Sequence, residues 1–220
     1  MSTTAPPLTA SEADRLAERF ESRTAEHVLA WAAERFGERA VLTCSWQKQS
    51  SVLVHMVSQV APGMRVVELD TGVLFPETYE TWRKIEDRYG LHVEVMDATP
   101  PNGTPWSASN CCGQRKVDAL ERALVGVTGW ITGIRREQSP TRADSEKVEF
   151  QESRGIWKFN PLADWSDADV WRYVHEHDLP YHPLHDQGYA SIGCAPCTLP
   201  GNGREGRWAG QEKTECGLHV

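Results

Sequence analysis

Two pairs of cysteines define the chemistry open to this chain. Cys111 and Cys112 are adjacent, whereas Cys194 and Cys197 enclose Ala195 and Pro196. Neighbouring cysteines do not close an unstrained disulfide, because consecutive Cα atoms lie only ~3.8 Å apart. Thiolate ligation is the natural alternative, and the Cys-x-x-Cys spacing lets one tight turn aim both sulfurs at a common centre. Four sulfurs with no histidine interleaved suit zinc or an iron–sulfur cluster. Zinc ribbons usually take two spaced pairs. The direct adjacency of Cys111 and Cys112 therefore leans towards a cubane, whose separate metal atoms can each accept one of two neighbouring ligands. Gly113 and Gly193 flank the pairs, as suits ligand loops better than core packing. Cys44 lies in an apolar run and reads as core filler. Cys216 sits in the terminal stretch Glu215-Cys216-Gly217-Leu218-His219, where core packing is rare. A nucleophile that reacts in one place and is recovered in another would profit from a mobile tail, and nearby cations would favour its thiolate.

Three further stretches could hold an anionic ligand. Residues 43–51, Thr-Cys-Ser-Trp-Gln-Lys-Gln-Ser-Ser, run from a strand end into a helix start, where backbone amides attract phosphate. The glycines of a standard phosphate loop are missing, so a simple helix cap is an equal reading. Leu69-Asp70-Thr71-Gly72 offers a carboxylate and a hydroxyl to a ribose or base edge, or else forms an ordinary turn. Residues 133–142 place Arg135, Arg136 and Arg142 at one strand end, and arginines bind phosphate or sulfate bidentately. Lys116, one helical turn beyond Cys112, could offset cluster charge or reach an anion, and Arg204 and Arg207 add cations near the tail.

The elements that must position these groups show a β-α-β-α-β alternation: Ala40–Thr43, Ser50–Val60, Arg65–Leu69, Glu77–Tyr89 and His92–Met96. Helix Gln114–Val125 and strand Trp130–Gly133 continue it. This predicts a parallel sheet covered by helices on both faces, with ligands beyond the carboxyl ends of the strands. Ahead of it, Ser11 with Asp14 opens a helical region whose apolar residues Leu16, Phe20, Val28, Leu29 and Phe36 recur at helical steps, and Gly37 would stop it. Glu149–Gln151 and Trp157–Phe159 suggest a peripheral hairpin. Ser166 with Asp169 starts a last helix. After Asp178, prolines and glycines predict an irregular segment covering the site. The expected division is a helical region over 1–39, an α/β domain over 40–200 and a mobile tail over 201–220.

With 220 residues, 40% of them hydrophobic and 25% charged, the chain can bury one substantial core. A formal net charge of −8 argues against a general nucleic-acid binder. No apolar run approaches the ~18 residues that span a bilayer, and residues 1–9 lack a signal peptide's basic and apolar regions, so the expected compartment is the cytoplasm. Reducing conditions there make the cysteines ligands or catalysts rather than disulfide partners.

Together the motifs closely resemble the adenylyl-sulfate reductase family of sulfate assimilation, thioredoxin-dependent enzymes with an iron–sulfur cluster. The resemblance spans about residues 40–219. It is carried by Cys111-Cys112-Gly113 with Arg115-Lys116, Leu69-Asp70-Thr71-Gly72, Arg135-Arg136…Arg142, Cys194-Ala195-Pro196-Cys197 and Glu215-Cys216-Gly217-Leu218-His219. It implies an adenine nucleotide alpha hydrolase-like, Rossmann-like α/β fold. It also implies one [4Fe-4S] cluster per subunit on Cys111, Cys112, Cys194 and Cys197, with a structural and electrostatic role. Cys216 would attack adenosine 5′-phosphosulfate, expelling AMP, and thioredoxin would release sulfite from the S-sulfonated cysteine. The family pattern puts the nucleotide on Thr43, Ser45, Leu69, Gly133 and Arg142, and the phosphosulfate on Lys116, Arg204 and Arg207. Homo-oligomerisation stays open.

Three alternatives compete. One is the same reaction on the 3′-phosphorylated nucleotide, whose dedicated enzymes typically lack the cluster cysteines. Another is an ATP-activating sulfur transferase of the related ATP pyrophosphatases, disfavoured because Trp46 and Gln47 occupy the glycine positions of the S-x-G-G-x-D-S loop. The third is a zinc-stabilised binding module in which Cys216 is incidental.

Overall fold

The computed structural model describes residues 9–100, 114–208, 215 and 217–219. Its centre is a six-stranded sheet of β1 (Ala40–Cys44), β2 (Arg65–Asp70), β3 (Val93–Asp97), β4 (Gly129–Ile131), β5 (Val148–Gln151) and β6 (Ile156–Phe159), in the order β3-β2-β1-β4-β6-β5. Every neighbouring pair is parallel except β5 with β6. The chain winds outward from β1 to β3, then restarts on the other side of β1 with β4. The seam between β1 and β4 is thus the topological switch point, where α/β sheets bind ligands.

Helices α1 (Ala13–Glu21), α2 (Ala25–Phe36), α3 (Lys48–Val60), α4 (Pro76–Tyr89) and α6 (Asp167–Glu176) share one core with the sheet. Helix α5 (Gln114–Ala123) packs through Ala119, Leu120 and Ala123 against Val41, Val67, Leu69 and Trp130 of the other face. The expected N-terminal helical region is two helices. Thr24 breaks it by capping α2, its Oγ1 accepting the His27 amide at 3.3 Å. Phe20, Trp31, Phe36 and Phe159 then interlock with ring centroids 4.9–6.1 Å apart. A Cβ on Gly129 would meet the Phe36 ring at 2.8 Å, so the start of β4 has no side chain where α2 presses closest.

The hairpin expected at the periphery is instead part of the sheet. Strand β6 is buried along its whole length and pairs in parallel with β4, so that of the hairpin β5 alone lies at an edge of the sheet, opposite β3. Lys158 tolerates this position because its Nζ meets Glu149, its cross-strand partner, at 2.6 Å. Helix α6 begins at the predicted capping box, the Ser166 Oγ accepting the Asp169 amide at 3.1 Å and Asp169 accepting the Ser166 amide at 2.9 Å. After Asp178 the described chain has only short 3-10 turns and isolated bridges. No described helix is long and apolar enough to cross a membrane.

Candidate functional site

A cavity of about 360 Å³ opens at the β1–β4 seam, beyond the carboxyl ends of the strands. Thr43, Ser45, Leu69, Lys116, Gly133, Arg142, Arg204 and Arg207 all line it, so the eight predicted ligand-binding residues are brought together. Cys111, Cys112 and Cys216 lie outside the described residues.

The strand side of the cavity is tied down by short bonds. The Trp130 indole donates to Thr43 Oγ1 at 2.9 Å, joining β4 to β1, and Thr43 in turn donates to the Ile131 carbonyl at 3.4 Å. The Ser45 amide donates to Ser50 Oγ at 3.0 Å, folding the loop onto the first turn of α3. Trp46 adopts φ 54°, the left-handed backbone that normally calls for glycine and costs a bulky residue roughly 1–2 kcal/mol. Its ring is buried and stacks on Trp82 at 5.4 Å and 4°. The loop therefore keeps a glycine-like turn while the bulk of Trp46 points away from the cavity, and Gln47 alone of the two replacements lines it. The Gln47 side-chain oxygen Oε1 accepts the Ile192 amide at 2.9 Å, which fastens the far wall.

The three arginines of residues 133–142 separate into different tasks. Arg136 forks onto Glu21 at 2.7 Å through two bonds and stays out of the cavity, stapling its loop to α1. Arg135 donates to Asp167 at 2.8 Å and to the Trp165 carbonyl at 3.1 Å. Buried Lys48 completes this group at 2.9 Å from Asp167, and burial pulls its pKa below the ordinary lysine value despite that carboxylate. Arg142 forks onto Glu215 at 2.9 and 2.8 Å, and Arg204 joins the same carboxylate at 2.9 Å.

The far wall comes from the irregular segment. The Arg207 guanidinium lies over the Trp208 ring at 4.5 Å, donates to the Ile192 carbonyl at 3.2 Å and would collide with any Cβ at Gly193. Cys194 and Cys197 are buried on one turn, and Thr71 Oγ1 lies 3.2 Å from the Cys194 sulfur. The Cys197 amide donates to the Cys194 carbonyl at 3.1 Å, and the Ala195 amide to the Val73 carbonyl at 2.8 Å. The Asp70-Thr71-Gly72 turn thus supports the cysteine loop. Asp70 is spent on the Gly72 amide and the Tyr79 hydroxyl, both at 2.8 Å, and neither Asp70 nor Thr71 lines the cavity.

Four contributors were not singled out from the sequence as ligand or catalytic candidates. Trp130 offers its face to His219, centroids 5.2 Å apart and 14° from parallel. Burial first, and then Lys158, Arg142 and Arg204, hold the His219 pKa well below the usual histidine value, so its imidazole is neutral. Glu68 lines the cavity with a buried Oε2 that has no hydrogen-bond partner among the described residues. Burial raises its pKa to about 8 against the opposing pull of Lys116. Gln49 is buried in the same wall with Oε1 likewise unpartnered. An acid inside the strand run Arg65–Leu69 was a visible signal for Glu68, whereas nothing local marked Trp130.

Residues 39–200 match the family described as phosphoadenosine phosphosulfate reductase domain. The chain is 45% identical over 215 residues to the adenosine 5′-phosphosulfate reductase of Geobacillus thermodenitrificans, covering 91% of this chain and 92% of that protein. It is 39% identical over 231 residues to the enzyme of the same name from Salinibacter ruber, covering 98% and 92%. Among solved structures, the phosphoadenylyl-sulfate reductase of Candida auris in its phosphate complex superposes with a TM-score of 0.73 at 28% identity, over 89% of this chain and 100% of that one.

Proposed function

The chain belongs to the phosphoadenosine phosphosulfate reductase domain family, and from that premise we propose that it reduces adenosine 5′-phosphosulfate to sulfite and AMP. One observation supports the reading most: the predicted nucleotide and phosphosulfate residues share a single cavity at the sheet's switch point, Leu218 and His219 line it, and Glu215 is bonded to Arg142 and Arg204 of its wall, so residues on both sides of Cys216 in sequence are held there. Pockets for small molecules and cofactors run from about 300 to 1,000 Å³, and the cavity falls within that range.

In this mechanism the Cys216 thiolate attacks the sulfur of the bound nucleotide. A sulfur–sulfur bond forms, the bond from sulfur to the phosphate oxygen breaks, and its electron pair leaves on AMP. Charge moves towards that phosphate, so the cations of Lys116 and Arg207 stabilise the transition state more than the ground state. A dithiol of the thioredoxin type then supplies two electrons. One of its thiolates attacks Cys216 Sγ, sulfite departs with the bonding pair, and the second thiol closes a disulfide and frees Cys216.

The cluster side of the proposal rests on donor chemistry. Cys194 and Cys197 present two buried sulfurs from one turn, a soft donor set that fits an iron–sulfur centre completed by Cys111 and Cys112. When bound, the [4Fe-4S] group would supply structural cohesion and a local electrostatic field. Residues 40–200 would carry nucleotide and cluster, residues 1–39 helical cover, and residues 201–220 the nucleophile.

The phosphoadenylyl-sulfate reductase among the structural relatives keeps the 3′-phosphorylated nucleotide as the second reading. Anaerobically purified protein with reduced thioredoxin decides between them. Sulfite should form at least tenfold faster, as kcat/KM, from the nucleotide without the 3′-phosphate, and equal rates would overturn that preference. Zinc in place of iron and acid-labile sulfide would return the cysteines to a structural module.

A further inference from the structure

Glu215 has no part in the reaction just described, yet it holds one of the densest sets of contacts in the site. Its carboxylate accepts from Arg142 Nε at 2.9 Å, Arg142 Nη2 at 2.8 Å, Arg204 Nη2 at 2.9 Å, Thr141 Oγ1 at 3.1 Å and Ser139 Oγ at 3.4 Å. These donors come from two chain segments, the loop after β4 and the irregular stretch that follows the cysteines. The Glu215 side chain is only 12% exposed. Burial alone would raise its pKa, but Arg142 and Arg204 together hold it below the ordinary carboxylate value, so the group is an anion in a double-arginine clamp.

On the other side of Cys216 the anchoring is apolar. Leu218 is buried with Leu69, Leu120 and Trp130, and His219 stacks on the Trp130 ring whose indole is bonded to Thr43. Residues before and after Cys216 are therefore fastened to the walls of the nucleotide cavity by unlike forces. About 360 Å³ remains open with both anchors in place, so seating Glu215 does not consume the nucleotide space.

We propose that Glu215 is a positioning residue: the Arg142–Arg204 clamp on its carboxylate sets the register of the tail, so that Cys216 meets the sulfur of a nucleotide already bound. Arg142 and Arg204 then serve the tail, and the phosphosulfate is left to Lys116 and Arg207. The inference rests on the reductase reading and goes beyond it by reassigning two arginines from substrate to nucleophile placement. A carboxylate fork fixes direction as well as distance, and small errors in the approach of a nucleophile are costly in rate.

The test is a single turnover of the full-length holoenzyme. Adenosine 5′-phosphosulfate is mixed without reductant, the reaction is quenched, and the gain of one SO₃ on Cys216 is followed by intact mass, with AMP affinity measured separately by calorimetry. At saturating nucleotide, Glu215→Gln should slow sulfonation on the order of ten- to a hundredfold while AMP affinity stays within about threefold. Glu215→Asp should recover part of the rate. Arg204→Gln should reproduce the slow sulfonation without weakening AMP, which keeps the proposal testable if Glu215→Gln fails to fold. Unchanged sulfonation in Glu215→Gln overturns the proposal. So does AMP binding tightened about tenfold or more with no loss of rate, since Glu215 would then be a placeholder for the substrate anion. A wild-type enzyme that never acquires SO₃ on Cys216 removes the reductase reading itself, a result distinct from either.

Discussion

The wall of the cavity formed by β1, β2 and β4 and the wall formed by residues after Leu179 answer the same need with different materials. The first uses strand ends locked by backbone ladders and close bonds such as Trp130 to Thr43, at 2.9 Å. The second has no regular ladder among its described residues. It is held by turns, by the Gln47 to Ile192 bond, by the guanidinium of Arg207 over Gly193, and by the two-sided seating of the tail. Strand ends suit a nucleotide that must be gripped the same way each time. Side-chain fastenings suit a nucleophile that must be released to a second protein, because each can open at the cost of a few bonds.

The largest expected effect separates the two walls by function. Cys216→Ser should lower sulfite formation by three orders of magnitude or more, about 4 kcal/mol, while AMP binding, a property of the strand wall, holds within about twofold. Retained turnover would remove the nucleophile from the tail.

Acid should next loosen the irregular wall. His182 is wholly buried, its Nε2 donating to Thr78 Oγ1 at 2.9 Å and its Nδ1 accepting the Leu184 amide, and burial lowers its pKa from 6.5 to about 4. Its stabilisation is complete above pH 6.5 and drains as the pH falls towards 4, because the unfolded chain binds a proton that the native ring refuses. The loss is of order 3 kcal/mol, read as urea unfolding at pH 7 and pH 4.5. His182→Gln should lessen that dependence, leaving the share of His185, whose pKa burial also lowers to about 4; an equally steep variant would place the acid sensitivity elsewhere.

Gly193→Ala should displace Arg207 and cost roughly tenfold in kcat/KM with little change in melting temperature. A silent substitution would mean that the Arg207 position is not needed. The smallest effect belongs to the far end of β2, where Arg65 forks onto Glu94 at 2.7 Å with both side chains about one-third exposed. Arg65→Ala should cost no more than about 1 kcal/mol of unfolding free energy and leave activity unchanged, so a larger loss would make this solvent-facing end of the strand wall more sensitive than the site.

The alternation of strands and helices was legible because each buried run carries its own period, and the switch-point cavity follows from it. The position of β6 was not. Lys158 interrupts the predicted run Trp157–Phe159, and only its cross-strand partner Glu149 makes burial tolerable, a pairing that no local window contains. Of the arginines of residues 133–142, Arg135 and Arg142 line the cavity, and Arg136 departs for a similar reason, being claimed by Glu21, 115 positions away. The glycine-like turn at Trp46 was hidden because its compensation is a stack on Trp82 in another element. Conversely, all eight predicted ligand-binding residues converge, because each stands at a strand end, in a cationic loop or, for Lys116, in the first turn of α5, all of which the architecture brings to one edge.

The seam between β1 and β4 also carries a kinetic consequence. Its strands are joined by roughly ninety residues of intervening chain, as the pairing of Ala40 with Gly129 shows, so the sheet's central contact is a late, non-local one. During synthesis the β1–β3 half can assemble first, with the inner edge of β1 open until β4 emerges. That exposed edge is the segment from which misassembly would start. The nucleotide cavity does not exist before the two halves meet, so a nucleotide that binds only the joined state should protect newly made protein by drawing the last docking step to completion.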